Sequence, residues 1–206
     1  DRYDSDYKSS PKGIKVDGAI IINDGIINVT TSGAGGEGIE SKTYITFNGG
    51  QTYVSSSDDG INASYNTDTN GTGDLTVNGG YIYCISSGND AMDSNGNFYV
   101  KGGVVYAVGT GNPEKSLDAN TEQGKKLYIS GGTLIAVGDL ENGVSISNGT
   151  CKYTSSWTKN SWFALYNGGT LATAFKTPAT GSNTGGGGGP WGGGSSSLKL
   201  IVYTSS

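Results

Sequence analysis

Histidine is absent from this 206-residue chain, and arginine occurs once, as Arg2. A Ser-His-Asp or Cys-His catalytic arrangement is therefore excluded, and so is zinc held by imidazole. Charge is scarce as well: 15% of residues are charged, the net charge is -5 and the pI is near 4.6. A chain so poor in cations lacks the basic surface that phosphate neutralisation requires, which argues against a nucleic acid partner. Two cysteines, Cys84 and Cys151, are too few for a disulfide framework and are not expected to meet. No apolar run is long enough to span a bilayer. No signal peptide is recognisable, and the start DRYDSDYKSS reads as a mature or truncated terminus, which is silent on secretion. Any metal site must be built from oxygen, which points to calcium.

Glycine is what the chain has in quantity, with 37 residues against a hydrophobic content of 33%. Poor apolar content combined with high charge would read as disorder. Here charge is low and the apolar residues are evenly spaced, so a repeat fold with a thin core is expected. The repeat is marked by a turn of the form Asn/Lys/Ser-Gly-Gly, or Asn-Asp-Gly in the first copy. Its last glycine falls at Gly25, Gly50, Gly80, Gly103, Gly132 and Gly169, at intervals of 25, 30, 23, 29 and 37 residues. Those intervals match a β-helix coil with insertions at its corners.

Five and three residues before the glycine stand Ile20 and Ile22, Ile45 and Phe47, Leu75 and Val77, Phe98 and Val100, Leu127 and Ile129. Two and four residues after it stand Ile27 and Val29, Thr52 and Val54, Ile82 and Cys84, Val105 and Ala107, Leu134 and Ala136. This is the period of half-buried strands. A third strand is anchored by Ile14, Ile39, Ile61, Met92 and Leu117. The expectation is an all-β, right-handed, single-stranded parallel β-helix with three short strands per coil. It would occupy 12–176, after an N-terminal extension at 1–11 and before a glycine-rich segment and C-terminal strand at 177–206. Trp157, Trp162 and Phe163 read as a bulkier terminal coil covering the end of the stack. Cys84 belongs to the inward set and reads as a buried, inert thiol.

Two outward columns flank the third strand. One follows each anchor: Lys15, Glu40, Asn62, Asp93, Asp118. The other precedes it by two: Lys12, Glu37, Asp59, Asp90, Lys115. Parallel neighbours lie about 4.8 Å apart, so these carboxylates must stack closely, and stacked acids repel unless a cation neutralises them. Asp58, Asp59 and Asn62 with Asn89, Asp90 and Asp93, joined by Asp118, Glu37 and Glu40, are candidate calcium ligands. The alternative is that Asp and Asn only build corner turns. A column of small residues, Gly13, Gly38, Gly60, Ala91 and Ser116, is expected to leave room for an ion or sugar ring. A second oxygen-rich stretch, Asn66, Asp68, Asn70, Gly71 and Asp74, partly follows a calcium loop but has Val77 where the closing glutamate belongs, and is read as a corner insertion.

Three residues beyond the corner glycine come Tyr53, Tyr83 and Tyr106, with Tyr81 close by. This ladder offers aromatic faces on which sugar rings stack; alternatively it packs beneath the terminal segments.

At GIKVDG, EGIESK, SDDGINAS and GNDAMDSNG, each followed by a glycine turn, the chain resembles a family of secreted bacterial carbohydrate-binding β-helix proteins. The family's type is a clostridial protein that binds cellulose and polygalacturonate. The resemblance covers about residues 12–140, and the GGPWGGG tail looks similar. It implies a secreted or cell-surface, calcium-dependent, non-catalytic binder of acidic plant-type polysaccharide or cellulose. That family is in turn similar in fold to calcium-dependent pectate lyases, whose calcium is held by Asp-Asp-x-x-Asp and whose base is a lysine. Here the cluster falls at Asp58, Asp59 and Asn62 and at Asn89, Asp90 and Asp93, each copy departing by one amide. A lyase is thus the alternative, with Lys115 as the base. A polysaccharide partner, no membrane-spanning segment and a monomeric state complete the expectation.

Overall fold

The structure is a computed structural model describing residues 10–65, 70–111, 113–179 and 198–205. It is all-β, apart from one 3-10 turn at Thr121–Gln123 among the described residues. No helix among them is long and apolar enough to cross a membrane. The chain visits three sheets in rotation. β1 (Lys12–Val16), β4 (Glu37–Ser41), β7 (Ile61–Ala63) and β10 (Met92–Ser94) form a four-stranded sheet, continued by single bridges from Met92 to Leu117 and from Leu117 to Leu140. β2 (Ile20–Ile22), β5 (Ile45–Phe47), β8 (Leu75–Val77), β11 (Phe98–Val100), β13 (Leu127–Ile129) and β15 (Ser145–Ile146) form a six-stranded one. β3 (Ile26–Thr30), β6 (Gln51–Ser56), β9 (Tyr81–Ser86), β12 (Val104–Val108) and β14 (Thr133–Gly138) belong to a seven-stranded one. Within each sheet these strands pair in parallel with their counterparts in the next repeat.

The register is the one the glycine turns imply: Ile45 lies beside Leu75, Phe98 beside Leu127, and Tyr53 beside Tyr83. Inward residues stack in kind along the core. Ile39, Ile61, Met92 and Leu117 form one file, and Ile45, Leu75, Phe98 and Leu127 another, all fully buried. Cys84 is buried in a third, its Sγ donating to the Ala91 carbonyl at 2.9 Å. The corner needs glycine for two reasons. Gly103 has φ 74°, and a Cβ there would lie 2.6 Å from the Gly80 carbonyl oxygen, so nested turns leave no space for a side chain. The leading asparagines of the first three turns form a ladder on the outside. Asn78 Nδ2 donates to Asn48 Oδ1, and Asn48 Nδ2 to Asn23 Oδ1, both at 2.8 Å.

The small-residue column does not leave room for a ligand. It faces inward: a Cβ on Gly38 would meet Val54 Cγ1 at 2.3 Å, one on Gly60 would meet Cys84 Sγ at 2.2 Å, and Ala91 and Ser116 are fully buried. Both the anchor and the residue before it point into the core at this corner, so the third strand gives up strict alternation there, and small size is a packing requirement.

The C-terminal part departs from the repeat. β17 (Trp162–Asn167) and β18 (Thr170–Lys176) form an antiparallel hairpin instead of a terminal coil. Leu165 and Phe175 pack with Trp157 against Tyr106, Val108, Ile135 and Val137 on the outer face of the seven-stranded sheet. The cause lies in β12 and β14, which are apolar on both faces and therefore need a cover. β19 (Lys199–Thr204) inserts antiparallel between β14 and β16 (Thr150–Thr154). It is also two-faced: Ile201 and Tyr203 join the core, while Leu200 and Val202 face the hairpin. The Tyr203 hydroxyl donates to the Ser147 carbonyl at 2.8 Å, fastening the end of the stack. Asn66 and Asp68 of the oxygen-rich stretch, residues 1–9 of the N-terminal extension and most of the glycine-rich segment lie outside the described residues.

Candidate functional site

The outward columns of the four-stranded sheet divide into two electrostatically different halves. In the first repeats lysines neutralise the acids: Lys12 Nζ is 2.5 Å from Glu37 Oε1, Lys15 Nζ is 3.5 Å from Glu40 Oε2, and Lys42 pairs with Glu40 Oε1. Burial raises the Glu40 pKa, but the bond to Lys42 and the charges of Lys42, Lys15 and Lys12 outweigh it and hold the carboxyl below its ordinary value. Burial dominates at Glu37, whose carboxyl is raised despite Lys12. Each glutamate is paired with lysine, although Glu37 Oε2 and Glu40 Oε2 are buried without a hydrogen-bond partner and the Glu37 charge still acts on Asp59 and Asp93.

In the later repeats the acids have no such partners. Carboxylate oxygens of Asp90, Asp93 and Asp118 all lie within 4.8 Å of one another. Among the described residues no lysine or arginine forms an ion pair with any of the three. Burial, then the Asp90 charge, pushes Asp93 up to about 7. Burial pushes Asp90 up to about 6, against the Lys115 backbone N–H that donates to its Oδ1. Asp59 is pushed up to about 8 by burial and by the charges of Asp93, Asp90 and Asp58. Asp118 is raised by burial and by its hydrogen bond to Glu141.

Asp59 and Asn62 border the triad. Asn62 Nδ2 donates to Asp59 Oδ2 at 3.1 Å, and the Asp90 N–H donates to Asp59 Oδ1 at 3.2 Å. Asn62 Oδ1 is buried without a hydrogen-bond partner. Asp58 and Asn89 are tied to each other, Asn89 Nδ2 donating to Asp58 Oδ1 at 3.0 Å, while Ser56 and Ser86 both donate to the Asp58 carbonyl at 2.7 Å. That pair builds the corner, as Asp and Asn commonly do. Glu141 was missed in the sequence, although it occupies the same column one repeat further on: Leu140 bridges Leu117, and Glu141 follows it as Asp118 follows Leu117. Extending the column past the shortened repeat would have found it.

The donor set fits a hard divalent cation. Oxygens that share one calcium at about 2.3–2.6 Å are at most about 5 Å apart, and the triad meets that bound. The orphaned Asn62 Oδ1 adds a neutral oxygen at the border. Lys115 lies near enough for its charge to favour ionised Asp90 and Glu141, a balancing role.

A second feature lies on the outer face of the seven-stranded sheet. Ring centroids of Tyr53 and Tyr83 are 6.4 Å apart, those of Tyr53 and Tyr81 5.8 Å, and those of Tyr83 and Tyr106 5.0 Å. The hairpin covers the far end: Tyr106 is buried, its hydroxyl donates to the Lys176 carbonyl at 2.8 Å, and Phe175 meets its ring edge-on at 6.1 Å. Between hairpin and ladder runs a groove of about 650 Å³, lined by Tyr81, Tyr83, Tyr106, Trp162, Phe175 and Lys176 among others. Trp162 is 77% exposed at its rim. The ladder thus serves both readings, with Tyr106 a packing residue and Tyr53, Tyr81 and Tyr83 partly open to solvent.

A family model described as carbohydrate-binding domain-containing protein matches residues 6–160. The chain belongs to this carbohydrate-binding family. The match takes in every parallel repeat, the carboxylate ridge and the tyrosine ladder, and it ends before the hairpin that completes the groove. No curated protein and no solved structure matches the chain.

Proposed function

We propose that the chain is a calcium-dependent, non-catalytic binder of polysaccharide, acting as a monomer that is secreted or held at the cell surface. Its three sheets would then be the faces of a right-handed, single-stranded parallel β-helix akin to the pectate lyase fold. Acidic plant-type polysaccharide such as polygalacturonate is the preferred ligand, with cellulose the neutral candidate. The observation that carries this reading is the convergence of Asp90, Asp93 and Asp118, none of which forms an ion pair with a lysine among the described residues. Asp90, Asp93 and Asp118 would hold the ion, with Asp59 and Asn62 at its border. A bound calcium would supply positive charge and open coordination positions for sugar oxygens. The tyrosines orient the chain of sugars by ring stacking, and the groove excludes water from their apolar faces.

Affinity electrophoresis in gels containing polygalacturonate or cellulose derivatives tests the reading. Retardation by polygalacturonate in calcium, reduced when EDTA replaces calcium, is expected. Absence of retardation by every polysaccharide in calcium-replete gels overturns it. The lyase alternative rests on the position of Lys115 beside Asp90 and Glu141. It requires ultraviolet absorbance from unsaturated uronate that disappears in Lys115→Ala, and none is expected.

A further inference from the structure

The outer face of the six-stranded sheet lies apart from the ridge and the groove, and it carries its own aromatic pair. The register column there runs Ile21, Thr46, Thr76, Tyr99, Tyr128, Ser145. Tyr99 and Tyr128 have ring centroids 5.2 Å apart and planes 8° from parallel. Parallel rings that close together cannot lie edge to edge, so they are offset-stacked, and each covers one face of the other. The next position beyond Tyr128 is Ser145, a side chain too short to cover a ring. Among the described residues no second ring stacks on the other face of Tyr128, toward which Lys126 Nζ reaches, and the residue is 37% exposed.

Two ammonium groups accompany the rings. Lys101 Nζ stands 4.7 Å from the Tyr99 centroid and Lys126 Nζ 5.9 Å from the Tyr128 centroid. Lys12, Lys15, Lys42 and Lys199 are paired with acids, whereas among the described residues neither Lys101 nor Lys126 forms an ion pair. Asp74 acts on the Tyr99 end and accepts the Asn97 N–H at 2.7 Å. In a chain of net charge -5, the stacked pair thus carries one ammonium group at each ring, Lys101 at Tyr99 and Lys126 at Tyr128.

We infer that Tyr128, with Lys126 at its own ring and Lys101 at the ring of its stacked partner Tyr99, is a second, calcium-independent site for an anionic sugar residue such as a uronate. The C–H face of the sugar stacks on Tyr128, and its carboxylate meets the ammonium groups. Stacking against Tyr99 fixes the Tyr128 ring before ligand arrives, which reduces the ordering cost of binding. This inference rests on the acidic-polysaccharide reading for its ligand class and is independent of the metal. Two sites on different faces would let one molecule engage a polymer twice, multiplying the affinity of each.

The test is affinity electrophoresis in EDTA, with polygalacturonate and with its fully methyl-esterified form. Wild-type protein is expected to be retarded by the acid polymer and not by the ester. Tyr128→Ala, and separately the double variant Lys101→Gln with Lys126→Gln, are each expected to weaken that residual binding about fivefold or more. Tyr128→Trp is expected to keep it, because a ring is retained. No retardation in EDTA, equal retardation by the ester, or unchanged affinity in both variants overturns the second site. Binding in calcium that vanishes entirely in EDTA overturns it while leaving the proposed function standing. Residual binding in EDTA that Tyr128→Ala removes, with no effect of calcium, upholds the site and overturns the calcium reading.

Discussion

Asp118 and Glu141, on successive repeats, share one hydrogen bond between their carboxyl groups, so one of the two keeps a proton. Burial and the charges of Asp90 and Asp93 raise Asp118, whereas Glu141 also accepts from Thr121 Oγ1 at 2.9 Å and from the Asn142 N–H at 2.6 Å and is held low. Asp118 is therefore the member of the pair that holds a proton more tightly. On the proposed reading, a divalent cation at the triad would compete with that proton, which would link metal binding to pH.

The chelated protein is expected to lose stability as pH rises. An acid whose folded pKa is raised holds its proton more tightly in the folded chain. Its contribution is complete below the unfolded value of 3.8 and is lost as pH climbs through about 6 for Asp90, about 7 for Asp93 and about 8 for Asp59. Melting in EDTA should fall by several degrees between about pH 5 and about pH 8.5. Calcium should restore most of that loss at the higher pH and little at the lower. A melting temperature in EDTA that is flat across this interval contradicts the crowding of the ridge.

Replacing Asp93 by Asn removes the charge that most strongly disfavours ionised Asp59. In EDTA at about pH 8 the variant should melt a few degrees above wild type, since relief on the order of 1 kcal/mol shifts a domain of this size by about 2–4 °C. The same variant should lose most of the thermal shift that calcium gives wild type. Differential scanning calorimetry with and without calcium reads both effects.

The nested glycine turns should be unequal in their tolerance of alanine. Gly103→Ala combines positive φ with a Cβ 2.6 Å from a backbone oxygen, whereas a Cβ at Gly25 meets nothing within 4 Å. Urea denaturation is expected to show a loss of roughly 2–4 kcal/mol for Gly103→Ala. At Gly25→Ala, where backbone strain acts alone, roughly 1–2 kcal/mol is expected. Equal costs at the two sites would contradict the close approach of successive turns.

Tyr106→Phe removes the hydroxyl that donates to Lys176 and should cost about 1 kcal/mol. Because Lys176 ends β18, the loss should fall mainly on the hairpin. Limited proteolysis should cut within Trp162–Lys176 several-fold faster, while the core strands keep wild-type hydrogen-exchange protection. Uniform acceleration across the chain would mean that the hairpin is not a separable cover.

The register was legible because it is set locally. A glycine turn of constant form places the same apolar pairs before and after it in each repeat, and alternation then assigns each side chain to a face. Ile45 beside Leu75 and Tyr53 beside Tyr83 follow from counting alone. The outward acids could be placed in columns by the same counting. Their grouping could not, because it depends on which lysines reach across repeats. Glu37 and Glu40 share columns with Asp59 and Asp93, yet Lys12, Lys15 and Lys42 claim them.

The sequence by itself determined the repeat, its core files and the absence of any imidazole ligand or base, because these depend on residue type and spacing within one turn of chain. Tertiary structure alone decided that the small-residue column packs inward, that β19 inserts antiparallel, and that the hairpin shelters Tyr106. Each of these is a contact between segments far apart in sequence or a direction taken at a corner. Local pattern leaves both undetermined, since the same alternation of apolar and polar residues is compatible with several partners, and only mutual burial selects one.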